Sequence, residues 1–152
     1  NWGLIPAWAK DKTIRKNTLN ARIETLHEKP SFKNNVANRC LVLADGFYEW
    51  KWLDKKGKLK EKYLITLPGD ELFAFAGIYA HWQNTDTEEM IKSYSIVTTE
   101  ANELMSRIHN SRQRMPVVLT ANNEKNWLEG QNLKEFARVE ANLKAQLCLK
   151  GS

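Results

Sequence analysis

Hydrophobic and polar positions alternate through the middle of the chain, and that period of two predicts strands. From Ile91 to Thr99 the alternation puts Tyr94, Ile96 and Thr98 on one face and Ser95 and Val97 on the other. Glu61 to Leu67 alternates in the same way. The polar turn Leu53-Asp54-Lys55-Lys56-Gly57-Lys58 joins it to a strand running from Arg39 to Trp52 with a bend at Gly46, so the two form a hairpin. Pro68-Gly69-Asp70 marks the next turn. Phe73 to Trp82 predicts a further strand, broken or bulged near Gly77, followed by a polar tip from Gln83 to Glu89. Met115 to Leu119 predicts a short strand. Asn1 to Trp8, apolar with one proline, fits a strand or an irregular wall.

Helical spacing is confined to short stretches. Leu104, Arg107 and Ile108 predict a helix over 100–108, capped by Thr98 or Thr99. A second is expected over 122–128, capped by Thr120 or Asn122. Thr25 to Phe32 predicts a short helix with Thr25 as cap and Glu28 at the capping-box position, cut short by Pro30. Phe32 to Asn38 reads as a helical turn or loop, and Leu133 to Leu147 as a helix or mixed segment. No repeat or linker divides the chain, so a single α+β domain over residues 1–152, built on antiparallel hairpins, is expected.

A chain of 152 residues, 42% hydrophobic and 27% charged, can bury a core of its own. No stretch approaches the roughly 20 apolar residues of a membrane span, and the start lacks a signal-peptide pattern; a cytoplasmic protein without a membrane partner is expected. The net charge of +5 favours an anionic partner such as nucleic acid, although many proteins of this charge bind none. Cys40 and Cys148 show no metal spacing, and Cys40 sits in the apolar run Cys40-Leu41-Val42-Leu43-Ala44, as a core residue would. With three scattered histidines, neither a metal site nor a cofactor is expected. Asn1 in place of Met suggests a processed product or a fragment, and Lys150-Gly151-Ser152 a partly unnatural end.

Four segments bring ionisable and polar groups next to apolar ones: Asn20-Ala21-Arg22-Ile23-Glu24, Gly46-Phe47-Tyr48-Glu49-Trp50, Thr98-Thr99-Glu100-Ala101-Asn102, and Ile108-His109 followed by Arg114-Met115-Pro116. Together they offer an amide, a carboxylate, hydroxyls, an imidazole and guanidinium groups, an inventory suited to an anionic substrate. Alternation places Phe47, Glu49 and Lys51 on one face and Tyr48, Trp50 and Trp52 on the other. If the Glu49 face lines a pocket, burial raises its pKa and suits it to proton transfer. If the face is open, Glu49 is a solvated carboxylate. His109 ends a helix, where the dipole favours imidazolium, and that alone accounts for a histidine there. His27 and His81 read as surface or structural. Arg22, Arg112 and Arg114 are candidates for bidentate phosphate contacts, as are the cations of 10–16, for which a solvated surface is the plainer reading. Of the six tryptophans, some belong in the core; Trp2 and Trp50 adjoin candidate polar groups and are candidates for base stacking.

These motifs, with Trp2-Gly3-Leu4-Ile5-Pro6, Ala44-Asp45 and Phe75-Ala76-Gly77-Ile78-Tyr79, together resemble the SRAP (SOS response-associated peptidase) family from Trp2 to about Trp127. The resemblance implies a partly open antiparallel β-barrel with flanking helices. It also implies a sensor of abasic sites in single-stranded DNA that forms a covalent crosslink. In the family a Cys exposed by removal of the initiator Met presents an amine and a thiol together. The amine forms a Schiff base with the ring-opened sugar and the thiolate closes a thiazolidine. Carried over by position, Asn20 orients the nucleophilic terminus, Glu49 transfers protons and His109 does acid–base work at the sugar oxygen. Arg22 and the Arg112–Arg114 region hold phosphates, Trp2 and Trp50 shape or stack in the DNA cleft, and Thr98 lines the site. The implied setting is a monomer in the bacterial cytoplasm, at the nucleoid when bound to DNA.

Two departures bear on this. The family's Met-Cys-Gly-Arg start is not in the sequence, so a domain lacking its N-terminal catalytic segment is expected. The stretch Asn110-Ser111-Arg112-Gln113 also makes the interval from His109 to Arg114 longer than the compact family pattern. Two other readings stand beside the sensor: a peptidase or autopeptidase using Glu49 and His109, and a non-catalytic single-stranded DNA-binding module.

Overall fold

The computed structural model describes residues 1–149. Nine strands and two short α-helices follow one another with five 3-10 turns between them. The strands are β1 (Asn20–Arg22), β2 (Arg39–Ala44), β3 (Phe47–Trp52), β4 (Lys60–Thr66), β5 (Phe73–Gln83), β6 (Met90–Glu100), β7 (Arg114–Pro116), β8 (Val118–Leu119) and β9 (Lys144–Leu147); the helices are α1 (Glu103–Ile108) and α2 (Ala121–Leu128). They form an α+β fold of two sheets. One has six strands, in the order β1-β6-β5-β2 with β7 added to β6 and β8 to β5; the other is β3-β4-β9. The two sheets do not join into a barrel among the described residues, and β1 runs parallel to β6, against the all-antiparallel expectation.

The bend at Gly46 is where the chain changes sheets. β2 pairs with β5, whereas β3 pairs with β4 across the expected hairpin, Trp50 facing Lys62 and Glu49 facing Tyr63. β5 is continuous rather than broken at Gly77. That residue keeps its place opposite Cys40 and Ile96, and a Cβ there would come within 2.8 Å of the Cys40 sulfur. Glycine serves close approach between strands here, not a bulge. Burial pushes the Cys40 thiol up to about 11, so this cysteine is a poor nucleophile.

Phe73 to Ile78 is buried on both faces, because a separate apolar cluster packs on each side of that half of β5. On one side lie Leu4, Ala21, Leu26, Val97 and Trp127. Trp127 is fully buried, and its indole N–H donates to the Cys40 and Gly77 carbonyls, so its one polar atom is satisfied. On the other side Phe73 and Phe75 meet Phe47 edge to face, at 6.5 and 5.5 Å between centroids, and pack with Met105, Ile108 and Met115. That second cluster fastens β3 and α1 to the large sheet, and the site is built around it.

The first helix is shorter than expected and differently capped. α1 begins at Glu103 because the Asn102 side chain accepts from the Met105 N–H; Thr98 and Thr99 stay in β6, where Thr99 donates to the Ala137 carbonyl. α2 carries the expected Thr120 cap in a capping box with Asn123. The expected capped helix over 25–32 is absent: a 3-10 turn at Ile23–Thr25 is followed by turns over 26–32. The 133–147 segment is mixed, a 3-10 turn at Leu133–Phe136 and then β9. Among the described residues no helix is long and apolar enough to cross a membrane.

Candidate functional site

The outer face of β6 forms the floor of a cleft. Its alternation buries Ser95, Val97 and Thr99 and leaves Tyr94, Ile96 and Thr98 half-exposed on the other side. Beside that floor the chain lays down two segments in parallel: Trp2 bridges to Tyr94, and β1 continues with Asn20 opposite Ile96 and Arg22 opposite Thr98. Burying Ala21 turns Asn20 and Arg22 outward together. Trp2 is fixed by its indole N–H, which donates to the Leu19 carbonyl at 2.8 Å, and by Arg15, which donates to the Trp2 carbonyl at 2.8 Å. Gly3, at φ 96, makes room for Arg15, whose Cβ would lie 2.8 Å from a Gly3 side chain.

The opposite wall comes from the small sheet. Phe47 and Glu49 point into the cleft, which settles the two readings of Glu49 in favour of a half-buried carboxylate. Burial pushes the Glu49 carboxyl above the usual carboxylate range, while positive charge on His109 and a hydrogen bond from the Trp50 backbone oppose the shift without cancelling it. His109 is the cap residue of α1; its N–H donates to the Met105 carbonyl at 2.7 Å. Its ring Nδ1 lies 2.7 Å from the Arg114 carbonyl. A carbonyl only accepts, so Nδ1 carries the proton and Nε2 is the nitrogen left to exchange one.

The loop between His109 and Arg114 is a closed turn. Gln113, in the left-handed region at φ 51, donates its N–H to the His109 carbonyl and accepts from Ala101. Asn110 grips the end of β3 from both sides: its amide oxygen accepts from the Trp52 N–H and its amide nitrogen donates to the Trp52 carbonyl, both at 2.9 Å. The strand carrying Glu49 and the loop after His109 are thereby tied together.

Arg114 is spoken for. Its guanidinium donates to both carboxylate oxygens of Glu24, at 2.8 and 2.9 Å, and to the Thr98 carbonyl at 2.9 Å, with only 14% of the side chain exposed. Burial resists ionisation of Glu24, but the Arg114 hydrogen bonds and the charges of Arg114 and Arg22 outweigh it and hold the carboxyl below its usual range. Nε of Arg114 is buried without a partner among the described residues.

Eight of the nine residues singled out from the sequence thus line one cleft of about 570 Å³: Trp2, Asn20, Arg22 and Glu49, with Thr98, His109, Arg112 and Arg114. Trp50 does not. It stands on the opposite face of β3, 48% exposed. Sequence reasoning gave no role to Glu24, although it lies inside the first motif, or to the aromatic walls Phe47, Tyr48, Phe75 and Tyr94. Tyr94 shares the β6 alternation with Thr98, a signal that was available. Among the described residues no group of three or more His, Cys, Asp or Glu is arranged to hold a metal.

The chain is 52% identical over 132 residues to the abasic site processing protein YoqW of Bacillus subtilis, an alignment covering 86% of this chain and 56% of that protein. It is 34% identical over 152 residues to the abasic site processing protein HMCES of Gallus gallus, covering 84% and 44%. The chain therefore spans about half the length of the curated relatives it matches. A crystal structure of a protein from Bacteroides thetaiotaomicron superposes with a TM-score of 0.88 at 36% identity, covering 97% of this chain and 67% of that one. The profile of the SOS response associated peptidase (SRAP) family matches residues 1–148, and the chain belongs to that family.

Proposed function

We propose that the cleft holds single-stranded DNA at an abasic site and is the greater part of a centre that crosslinks to it. The observation that carries this reading is the meeting, in one cleft, of a carboxyl with a raised pKa, an imidazole with one free nitrogen and two arginines, Arg22 and Arg112, that make no ion pair among the described residues. The names of the relatives, abasic site processing proteins, support it.

In this account the thiol and amine belong to a Cys at the mature start of the full protein, outside the 152 residues; Cys40 and Cys148 are internal and have no free α-amine. The amine adds to the C1 aldehyde of the ring-opened sugar. The carbinolamine loses water to give the Schiff base, and the thiolate adds to the imine carbon to close the ring. The net change is loss of one water, with no oxidant or reductant. Glu49, protonated over a wider pH range than an ordinary carboxyl, gives the proton that lets the hydroxyl leave as water. Nε2 of His109 exchanges a proton with the sugar ring oxygen as it opens, and the Asn20 amide orients the terminus. Arg22 and Arg112 hold flanking phosphates, while Arg114 shapes the wall through Glu24. Thr98 lines the floor and Trp2 stacks at the rim, with Trp50 outside it. The protein acts as a monomer in the bacterial cytoplasm, at the nucleoid when bound. The partly open barrel expected from the sequence forms if strands from the remaining length of the full protein bridge the two sheets.

The test mixes the full protein with a single-stranded oligonucleotide bearing one abasic site, read on a denaturing gel. A heat-stable shifted band, absent when the N-terminal Cys is changed to Ala, is expected. No band from folded protein on authentic abasic DNA overturns the reading. Release of a defined peptide lost on Glu49→Gln would then point to a peptidase, and equal, salt-sensitive affinity for intact and abasic strands to a plain binding module.

A further inference from the structure

The three-stranded sheet has a second face, turned away from the cleft, whose charged residues within the strands are all cations. Strand register puts Tyr48, Trp50 and Trp52 of β3 on that face, with Lys60 and Lys62 of β4 and Lys144 of β9. The carboxylates of the same strands, Glu49 and Glu61, lie on the other face, so within the three strands the outer face carries cations and no carboxylate. Two of its three aromatic rings are held out in solvent: Tyr48 is 57% and Trp50 48% exposed. Lysines sit over the flanking rings, the Lys62 ammonium 3.7 Å from the Tyr48 centroid and Lys60 5.2 Å from that of Trp52. Tyr48 also lines the cleft, so the two surfaces are continuous around the edge of β3.

We propose that this aromatic–lysine face is a second nucleic-acid platform, over which the single strand runs as it leaves the cleft. The proposal rests on the reading of the cleft as a DNA site. Exposed rings interleaved with cations are what a strand of any sequence needs: π-faces for its bases and ammonium groups for its phosphates. Lys60 and Lys62, two residues apart on one strand, are separated by about 7 Å along it, close to the spacing of successive phosphates in an extended strand. An acidic protein partner would use the lysines but would leave the upright rings without a role.

The experiment compares the full protein with a Lys60→Gln/Lys62→Gln variant, using single strands that carry a reduced, non-crosslinking abasic analogue. One probe is a trinucleotide that fills only the cleft; the other is about 15 nucleotides long, enough to span cleft and platform. For the long strand, the variant is expected to bind roughly 20-fold more weakly at 0.1 M salt, with the slope of log affinity against log salt reduced by about 1.4. Its affinity for the trinucleotide is expected to stay unchanged. Trp50→Ala is expected to weaken the long strand without altering the salt slope. Unchanged long-strand affinity and slope in a lysine variant with wild-type melting temperature overturn the proposal. If the wild type does not distinguish abasic from intact strands but the lysine effect on the long strand persists, the cleft reading fails and the platform stands.

Discussion

Arg114 is held by Glu24 and Thr98 in the wall of the cleft, and the pair with Glu24 makes a structural role for this cation measurable. Arg114→Gln removes two charge-assisted hydrogen bonds to Glu24 and the bond to Thr98, from a side chain only 14% exposed. Such bonds contribute about 1.5–3 kcal/mol each when desolvated. The Glu24 side chain is 40% exposed, so solvent screening reduces this to about 2–3 kcal/mol for the whole substitution. In a domain of this size that lowers Tm by roughly 4–12 °C. Glu24→Gln leaves the arginine one neutral acceptor and costs less, about 1–2 kcal/mol. The two lesions share a partner, so the double variant should lose less than their sum.

The pH dependence gives a second handle on the same pair. The folded-state pKa of Glu24 is depressed below its ordinary 4.5. The stability it contributes is therefore present above 4.5 and is lost as pH falls through the folded value. Wild type should lose stability between about pH 5 and pH 3 more steeply than Glu24→Gln. Urea unfolding at pH 7 and across that range reads both effects. If Arg114→Gln costs under about 0.5 kcal/mol, or if Glu24→Gln keeps the wild-type acid sensitivity, the pair does not hold the wall and the reasoning fails.

The remaining predictions concern the cleft. Arg22→Gln and Arg112→Gln should each reduce the salt slope of single-strand binding by about 0.7 with little change in Tm, whereas Arg114→Gln should leave the slope alone; salt titrations of fluorescence anisotropy distinguish them. Because burial raises the Glu49 pKa, ionisation there opposes folding. Glu49→Gln should thus melt higher than wild type at pH 7, the gain disappearing below the ordinary carboxyl range, as thermal scans at the two pH values would show. Asn110→Ala removes both hydrogen bonds to Trp52, costing about 1–2 kcal/mol. It should slow crosslinking more than it weakens strand binding, because it frees the Glu49 strand from the His109 loop. A binding loss as large as the rate loss would contradict that division.

What could be read from the sequence was whatever rested on local period. The β3–β4 hairpin, the faces of β6 and the shared face of Phe47 and Glu49 all follow from two-residue alternation, and all appear in the structure. The illegible part was tertiary. Nothing local tells Arg39–Ala44 and Phe47–Trp52 that they belong to different sheets, since both read as apolar strand around one glycine. Asn20–Arg22 is too short to announce a strand, and its parallel place beside β6 depends on pairing across more than seventy residues. Gly77 looked like a break because sequence does not reveal that a neighbouring strand's sulfur needs the space. Trp50 was grouped with the cleft by adjacency to Glu49, although the same alternation already sent it to the other face. The pairing of Arg114 with Glu24, ninety residues away in the chain, is equally invisible to any local pattern.

The central claim, that Glu49 transfers the proton in crosslinking within this cleft, is tested most directly by a single-turnover rate. Full protein in excess over an abasic single strand is sampled with time, for wild type and Glu49→Gln, at concentrations that saturate binding. A loss of roughly 100-fold in rate, with strand affinity kept and with a Tm at or above wild type, is the expected result. A Glu49→Gln rate equal to wild type would contradict the account.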